Sequence, residues 1–208
     1  THFQKQILHQ RFRVNSVLIR NGVIIPSVNP KKIKPPVVLW VGSISKVKNP
    51  EMFIRLAEAI PHATFIMVGG KTSDKNLYEN ILQAPKKTPN FKFEGFVPHH
   101  NINEYFEKAS IFVNTSIIEG FPNTFLQAWA YYTPVVSLNV DPDNIMNKNR
   151  CGFCSKSFPR MVADVNELLE NSTLRHTVGL NGRQYLEREH NIHAVAEQYN
   201  IVFENLVK

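Results

Sequence analysis

Two cysteines in 208 residues, Cys151 and Cys154, are too few for a disulfide framework. The longest apolar runs fall far short of the ~20 residues a membrane helix needs, and no N-terminal signal region is visible. These absences predict a soluble, intracellular chain, and 43% hydrophobic content is enough to bury a full core. Acidic residues are missing from the whole front. None precedes Glu51, while residues 1–50 hold nine of the 24 lysines and arginines. The rest of the chain carries fifteen basic against seventeen acidic groups, so the net charge of +7 belongs to the front. Such asymmetry fits a phosphate-rich ligand, an anionic membrane surface or nucleic acid. Nucleic acid ranks last, because zinc-finger spacing and the aromatic-basic signature of an RNA-binding sheet are both absent.

Several motifs are missing too. Nothing spells G-x-G-x-x-G or G-x-x-x-x-G-K-[ST], which argues against NAD and ATP. The histidines form no metal pattern, and His99-His100 reads as a surface loop. No Ser-His-Asp arrangement is evident. No pair of carboxylates suits glycoside hydrolysis, since the nearest partner position to Glu119 is Gln127. Cys151-Gly152-Phe153-Cys154 is a lone C-x-x-C in a turn before a possible short strand, without the second pair that structural zinc needs. The sequons at Asn114 and Asn171 read as chance without a secretion signal.

What is present alternates. Residues 1–20 are polar and basic, with Phe3, Ile7 and Leu8 as possible helix contacts. Ser16–Arg20 reads as a short strand ended by Asn21-Gly22, and Val23–Pro36, with four prolines and Lys31-Lys32, has linker composition. Val37–Gly42 is an all-apolar run, the mark of a strand covered on both faces. Pro50 opens a helix with Phe53, Leu56, Ala57 and Ile60 at i, i+3, i+4 and i+7. Strands are expected at Ala63–Val68, Phe91–Val97, Ile111–Ser116 and Pro134–Leu138. Helices are expected at Lys75–Ala84, Ile102–Ala109, Met161–Leu169, Thr173–Arg188 and Ala194–Val207, the last with Val195, Tyr199, Val202 and Leu206 on one side. This alternation predicts an α/β, Rossmann-like open parallel sheet with helices on both faces.

One stretch organises the chain. Glu119 follows a buried strand, and Gly120-Phe121-Pro122-Asn123 opens the next helix. In an open α/β sheet that loop is where ligands bind, and the free N–H groups of a helix start favour anions. Phe125, Ala128, Trp129 and Tyr132 form an apolar stripe. Asn123, Thr124, Gln127 and Tyr131 form a polar stripe that by spacing alone reads as a solvated face. The first βα loop, Gly42-Ser43-Ile44-Ser45-Lys46-Val47-Lys48-Asn49-Pro50, is able to hold a diphosphate between a helix start and a lysine. Taken alone, it reads more often as an ordinary loop with solvated lysines.

Four ordered segments carry a resemblance. They are Val41-Gly42 with Lys48-Asn49-Pro50, then Phe93-Glu94-Gly95-Phe96-Val97, then Asn114 to Asn123, then Pro134-Val135-Val136. Over roughly residues 37–190 the chain resembles the C-terminal, donor-binding half of a retaining GT-B glycosyltransferase, family 4, glycosyl transferases group 1. Asn21-Gly22-Val23 resembles the crossover from the first domain. The resemblance implies residues 1–36 as crossover and end of a missing N-terminal domain, 37–190 as the nucleotide-sugar-binding domain, and 191–208 as a C-terminal helix. It implies that Lys48, helped by Lys46, holds a nucleotide-sugar diphosphate near Gly42 and Ser43. Glu119 would bind donor-sugar hydroxyls, the amides of the Gly120 to Asn123 stretch would cap sugar and phosphate, Phe121, Pro122 and Thr124 would be further donor-binding positions, and Val97 backbone would meet the base. Gln127 stands where the family has a second, ribose-binding Glu, and Ser43 stands where it usually has Arg. No cofactor is implied, metal is not usually needed, and the nucleotide-sugar is a substrate. The implied partners are the donor and an N-terminal acceptor-binding domain, at a cytoplasmic location. The basic front fits either a peripheral contact with the inner membrane face or the charged rim of the interdomain cleft, the latter favoured because Lys46 and Lys48 belong to it; the linker lysines suit either role. The implied role is glycan or cell-surface polysaccharide synthesis, with this chain alone inactive. A degenerate binding module and a GT-B nucleotide-sugar epimerase are the alternatives.

Overall fold

The structure, a computed structural model, describes residues 1–27, 30, 32–70 and 72–207. Its strands are β1 (Val37–Val41), β2 (Thr64–Val68), β3 (Phe91–Gly95), β4 (Ile111–Asn114), β5 (Val135–Ser137) and β6 (Gly152–Cys154). All pairings are parallel, in the order β3-β2-β1-β4-β5-β6. The chain therefore builds outward from β1 in one direction, then returns to β1's other side with β4. That reversal makes the C-terminal ends of β1 and β4 the topological switch point of the sheet.

The helices are α1 (His2–Phe12), α2 (Pro50–Ala59), α3 (Lys75–Lys87), α4 (His99–Lys108), α5 (Asn123–Ala130), α6 (Ile145–Asn149), α7 (Phe158–Glu170), α8 (Ser172–Glu189) and α9 (Ile192–Val207). Their starts follow local chemistry. Asp74, Ser157 and Asn171 cap α3, α7 and α8 by accepting from Leu77, Arg160 and Leu174 amides, and Pro50 occupies the first turn of α2.

Because side chains alternate along a strand, β1, β2, β4 and β5 feed two cores, while the edge strand β3 turns Lys92 and Glu94 to solvent. Val38, Trp40, Phe65, Met67, Ile111, Val113 and Val136 meet α2, α3 and α7 on one face. Leu39, Val68, Phe112 and Val135 meet α4, α5, α6 and the Tyr185-Leu186 end of α8 on the other. The all-apolar strands are thus buried on both sides, as parallel strands must be.

Four expectations change. Ser16–Arg20 forms no strand. It finds no strand edge to pair with; Leu18, Ile19 and Arg20 instead line a small cavity with Phe121 and His190, and Arg20 pairs with Glu189 at 3.3 Å. The C-x-x-C is not a turn: Gly152–Cys154 is β6 itself, paired with β5, and burial pushes the Cys151 thiol up to about 12. His99-His100 is the first turn of α4, capped by Pro98, not a loop. Tyr132 lies beyond the end of α5 with φ 56°, so it leaves the apolar stripe and stacks under the Arg183 guanidinium. Of the predicted linker, Val28, Asn29 and Lys31 lie outside the described residues, as does the Leu206 side chain.

The crossover segment is clipped to the α8–α9 junction. The Val23 amide donates to the His190 carbonyl at 2.9 Å, and the Ile192 amide donates to the Val23 carbonyl at 3.1 Å. The His190 ring sits between the Asn21 carbonyl (2.7 Å) and the Tyr185 hydroxyl (3.1 Å). Burial keeps its pKa below that of a free histidine, although the Asn21 carbonyl acts in the other direction.

Candidate functional site

The switch point brings together the two loops that the sequence singled out. β1 ends at Val41 and hands its chain to the loop of Lys48; β4 ends at Asn114 and hands its chain to the loop of Glu119. The loops are tied through the backbone, with the Ile117 amide donating to the Val47 carbonyl at 2.8 Å. A buried chain of side chains fixes Lys48 further. The Trp40 indole donates to Thr115 Oγ1 at 2.9 Å, and that hydroxyl donates to the Lys48 carbonyl at 2.8 Å.

On this support the Lys48 ammonium stands 2.7 Å from Glu119 Oε2. The other carboxylate oxygen, Oε1, accepts from Asn114 Nδ2 at 2.8 Å. Asn114 is itself fixed, its Oδ1 accepting from the Ser116 amide (3.2 Å) and Ser137 Oγ (3.4 Å). Asn114, Thr115 and Ser116 are all buried. Three consecutive buried polar residues at a strand end are satisfied by one another, by Trp40 and Ser137 of the neighbouring strands and by the two loops, which makes this corner a rigid mount for Glu119 and Lys48.

Other predicted positions occupy the same C-terminal rim. Gly42 continues the ladder, its amide donating to the Val68 carbonyl at 3.1 Å, and a Cβ there would come within 3.0 Å of the Trp40 ring. Ser43 is exposed. Val97 follows β3, two strands away, half-buried against the α4–α5 side of the core. Gly120 faces α1, where Gln4 Nε2 would lie 3.0 Å from a Cβ. Phe121 packs on the His190 ring at 5.2 Å between centroids, and Pro122 is the cap residue of α5. Asn123 Oδ1 accepts from Asn21 Nδ2 at 2.7 Å, linking the crossover to the helix start, while Thr124 and Gln127 are half-buried.

Two placements differ from expectation. Lys46 does not join Lys48: it is 85% exposed and reaches Asp74 at 3.6 Å, on the side of α3. An exposed lysine follows the nearest carboxylate, and Asp74 is brought there by its role as α3 cap. Tyr131 is buried and drops out of the polar stripe, which therefore ends at Gln127.

Beside Glu119 an open cleft of about 610 Å³ runs between Ile117–Gly120 and Asn139–Asp143, with Phe3 and Gln4 of α1 along one side. The cleft is large enough for a sugar ring, with a carboxylate at its wall and a cation behind it. Asn114, Thr115, Ser137 and Trp40 have positioning roles that sequence reasoning did not assign. The signal for Asn114 and Thr115 is the run of polar residues closing an otherwise apolar strand; Trp40, inside an apolar run, gives none.

The family model described as "Glycosyl transferases group 1" matches residues 24–185. The chain belongs to the glycosyl transferases group 1 family. Among curated relatives, alpha-galactosylglucosyldiacylglycerol synthase of Streptococcus pneumoniae is 34% identical over 110 residues, 50% of this chain and 29% of that protein. Capsular polysaccharide biosynthesis glycosyltransferase CapM of Staphylococcus aureus is 23% identical over 83% of this chain and 47% of its own length. Among solved structures, a TarM mutant of S. aureus in complex with fondaparinux, alpha-GlcNAc-glycerol and UDP superposes with a TM-score of 0.84 at 19% identity. That match covers 98% of this chain and 42% of that one. The chain thus spans less than half the length of each of these three, and its fold is that of a group 1 glycosyltransferase domain.

Proposed function

We propose that this chain is the nucleotide-sugar-binding half of a retaining glycosyltransferase. The observation that carries the reading is the Lys48–Glu119 pair at the switch point, 2.7 Å apart and mounted on buried polar side chains. Lys48 meets the donor's diphosphate and Glu119 takes hydroxyls of its sugar in the adjoining cleft. The start of α5 lies alongside, where free amides favour anions. A UDP-sugar is the first donor to test, since UDP is bound to the structurally similar TarM.

In this reading the bond from the anomeric carbon to the diphosphate breaks and its electron pair leaves on the phosphate oxygen. An acceptor hydroxyl bonds to the same face, and its proton passes to the departing phosphate. Lys48 favours this by facing the charge that develops on the leaving group, from a position fixed before reaction. With Ser43 in place of a cation and Lys46 turned to Asp74, the diphosphate relies on Lys48 and on backbone amides. The acceptor is met by a second, N-terminal domain that α1 and the crossover would lead from. Relatives named for glycolipid and capsular polysaccharide synthesis support a lipid-linked or polysaccharide acceptor.

Calorimetric titration of this chain with UDP, GDP and ADP tests the reading. Binding of at least one is expected, and silence toward all three overturns it. Lys48→Ala should weaken that binding by about tenfold or more, as expected for loss of a charge-assisted contact to phosphate. Unchanged affinity would remove Lys48 from the diphosphate.

A further inference from the structure

Both oxygens of the Glu119 carboxylate are already engaged inside the protein. Oε2 takes the Lys48 ammonium at 2.7 Å and Oε1 takes the Asn114 amide at 2.8 Å. Neither side chain is free in water: 29% of the Lys48 side chain and 12% of the Glu119 side chain are exposed. The loops that carry them are joined by the Ile117–Val47 and Thr115–Lys48 hydrogen bonds, so the pair does not arise from loose loops drifting together. The carboxylate assigned to the sugar is therefore also the anion that occupies the cation assigned to the diphosphate. With Lys46 on Asp74, no second lysine of this loop relieves the competition.

We infer that Glu119 is a specificity-determining internal anion, competing with diphosphate for Lys48 and so favouring the intact donor over the spent nucleoside diphosphate. This rests on the reading of the pair as a nucleotide-sugar site. A nucleoside diphosphate that takes Lys48 strips Glu119 of its partner and sets a phosphate charge close to a half-buried carboxylate, with nothing offered in return. A sugar-bearing donor displaces Glu119 as well, but its hydroxyls donate hydrogen bonds to the released carboxylate, and its esterified phosphate carries less charge. Once the sugar has been transferred, those hydrogen bonds go with it. Glu119 then returns to Lys48 and speeds departure of the diphosphate.

The test compares the wild-type chain with Glu119→Gln and Glu119→Ala, using the tightest binder among UDP, GDP and ADP and the matching glucose and N-acetylglucosamine nucleotides. Glutamine keeps the shape and the Asn114 contact while removing the charge. Calorimetry should show nucleoside diphosphate binding about tenfold tighter in both variants, with sugar-nucleotide affinity unchanged or weaker. The ratio of the two affinities should thus shift toward the diphosphate. Matching thermal unfolding curves confirm that the variants are folded, and the alanine variant must move diphosphate affinity in the same direction. Diphosphate affinity unchanged or weakened in both variants, while Lys48→Ala still loses it, would overturn the competition and leave the donor-site reading standing. Absence of binding by every form would overturn both.

Discussion

Asn114 uses its amide nitrogen on Glu119 and its oxygen on Ser137 and the Ser116 backbone, so one side chain joins β4, β5 and the acidic loop. It acts through Glu119 and is a positioning residue. Asn114→Ala should weaken sugar-nucleotide binding by about tenfold or more, the scale of one hydrogen bond to a charged group. Nucleoside diphosphate should bind as tightly or more tightly, because a loosened Glu119 competes less for Lys48. A merely structural role would weaken both ligands alike, and calorimetry with the two ligands separates the cases. The positions of Glu119 and Lys48 at strand ends were legible in the sequence because each follows a strand whose apolar run is unmistakable. Asn114 was not, because a polar residue at a strand end gives no sign of what its side chain meets 5 or 23 residues away. Lys46 was misplaced for a related reason: its direction depends on Asp74, whose position follows from capping α3.

At the scale of elements, the helices and strands of the sheet follow the predicted alternation, because apolar periodicity and burial say the same thing for β1, β2, β4 and α2. α8 is the harder case. Its buried face carries Gly179 and Gly182, which local preference counts against a helix. They are there because α5 packs against Gly182 and the turn that follows α5 packs against Gly179. A Cβ on Gly182 would lie 2.1 Å from Trp129 Cδ1, and one on Gly179 would lie 2.1 Å from the Tyr132 carbonyl. The Trp129 indole is itself buried and donates to the Cys151 carbonyl at 2.9 Å, so it has nowhere to retreat. Gly182→Ala should therefore destabilise the fold by about 1–3 kcal/mol despite alanine's better helix propensity. In a domain of this size that lowers the melting temperature by roughly 5 °C. An unchanged or raised melting temperature would show that α5 and α8 are less closely packed than this. Ser16–Arg20 marks the opposite failure. Its apolar residues look like a strand, but a strand needs an edge to pair with, and pairing is not a local property.

The whole molecule is wrapped by its own front. The crossover is clipped at the C-terminal rim by Val23 and Asn21, and Lys32 lies half-buried at the opposite rim. The Lys32 ammonium donates to Thr133 Oγ1 at 2.6 Å and to the Phe106 carbonyl at 3.2 Å, at the chain segments that lead into β5 and β4. The charge asymmetry of the front was plain in the sequence, but its division of labour was not. A linker lysine is solvated unless the fold covers it, so nothing in the sequence says that Lys32 meets Thr133 and Phe106. Burial lowers its pKa from 10.5 to about 7, with Glu107 opposing the shift. The unfolded chain then holds this proton up to about pH 10.5, while the folded chain releases it near 7. Between those values the unfolded state binds more protons, so the Lys32 contribution to stability grows as pH rises and is lost as pH falls back toward 7. The slope reaches at most about 1.4 kcal/mol per pH unit. Lys32→Met removes the titrating group while keeping the length of the side chain. Melting temperatures of the two proteins measured from pH 7 to 10 should differ in slope, the wild type gaining on the variant with each pH unit. Parallel curves would mean that Lys32 keeps its proton throughout, and that its hydrogen bonds to Thr133 and Phe106 outweigh the burial.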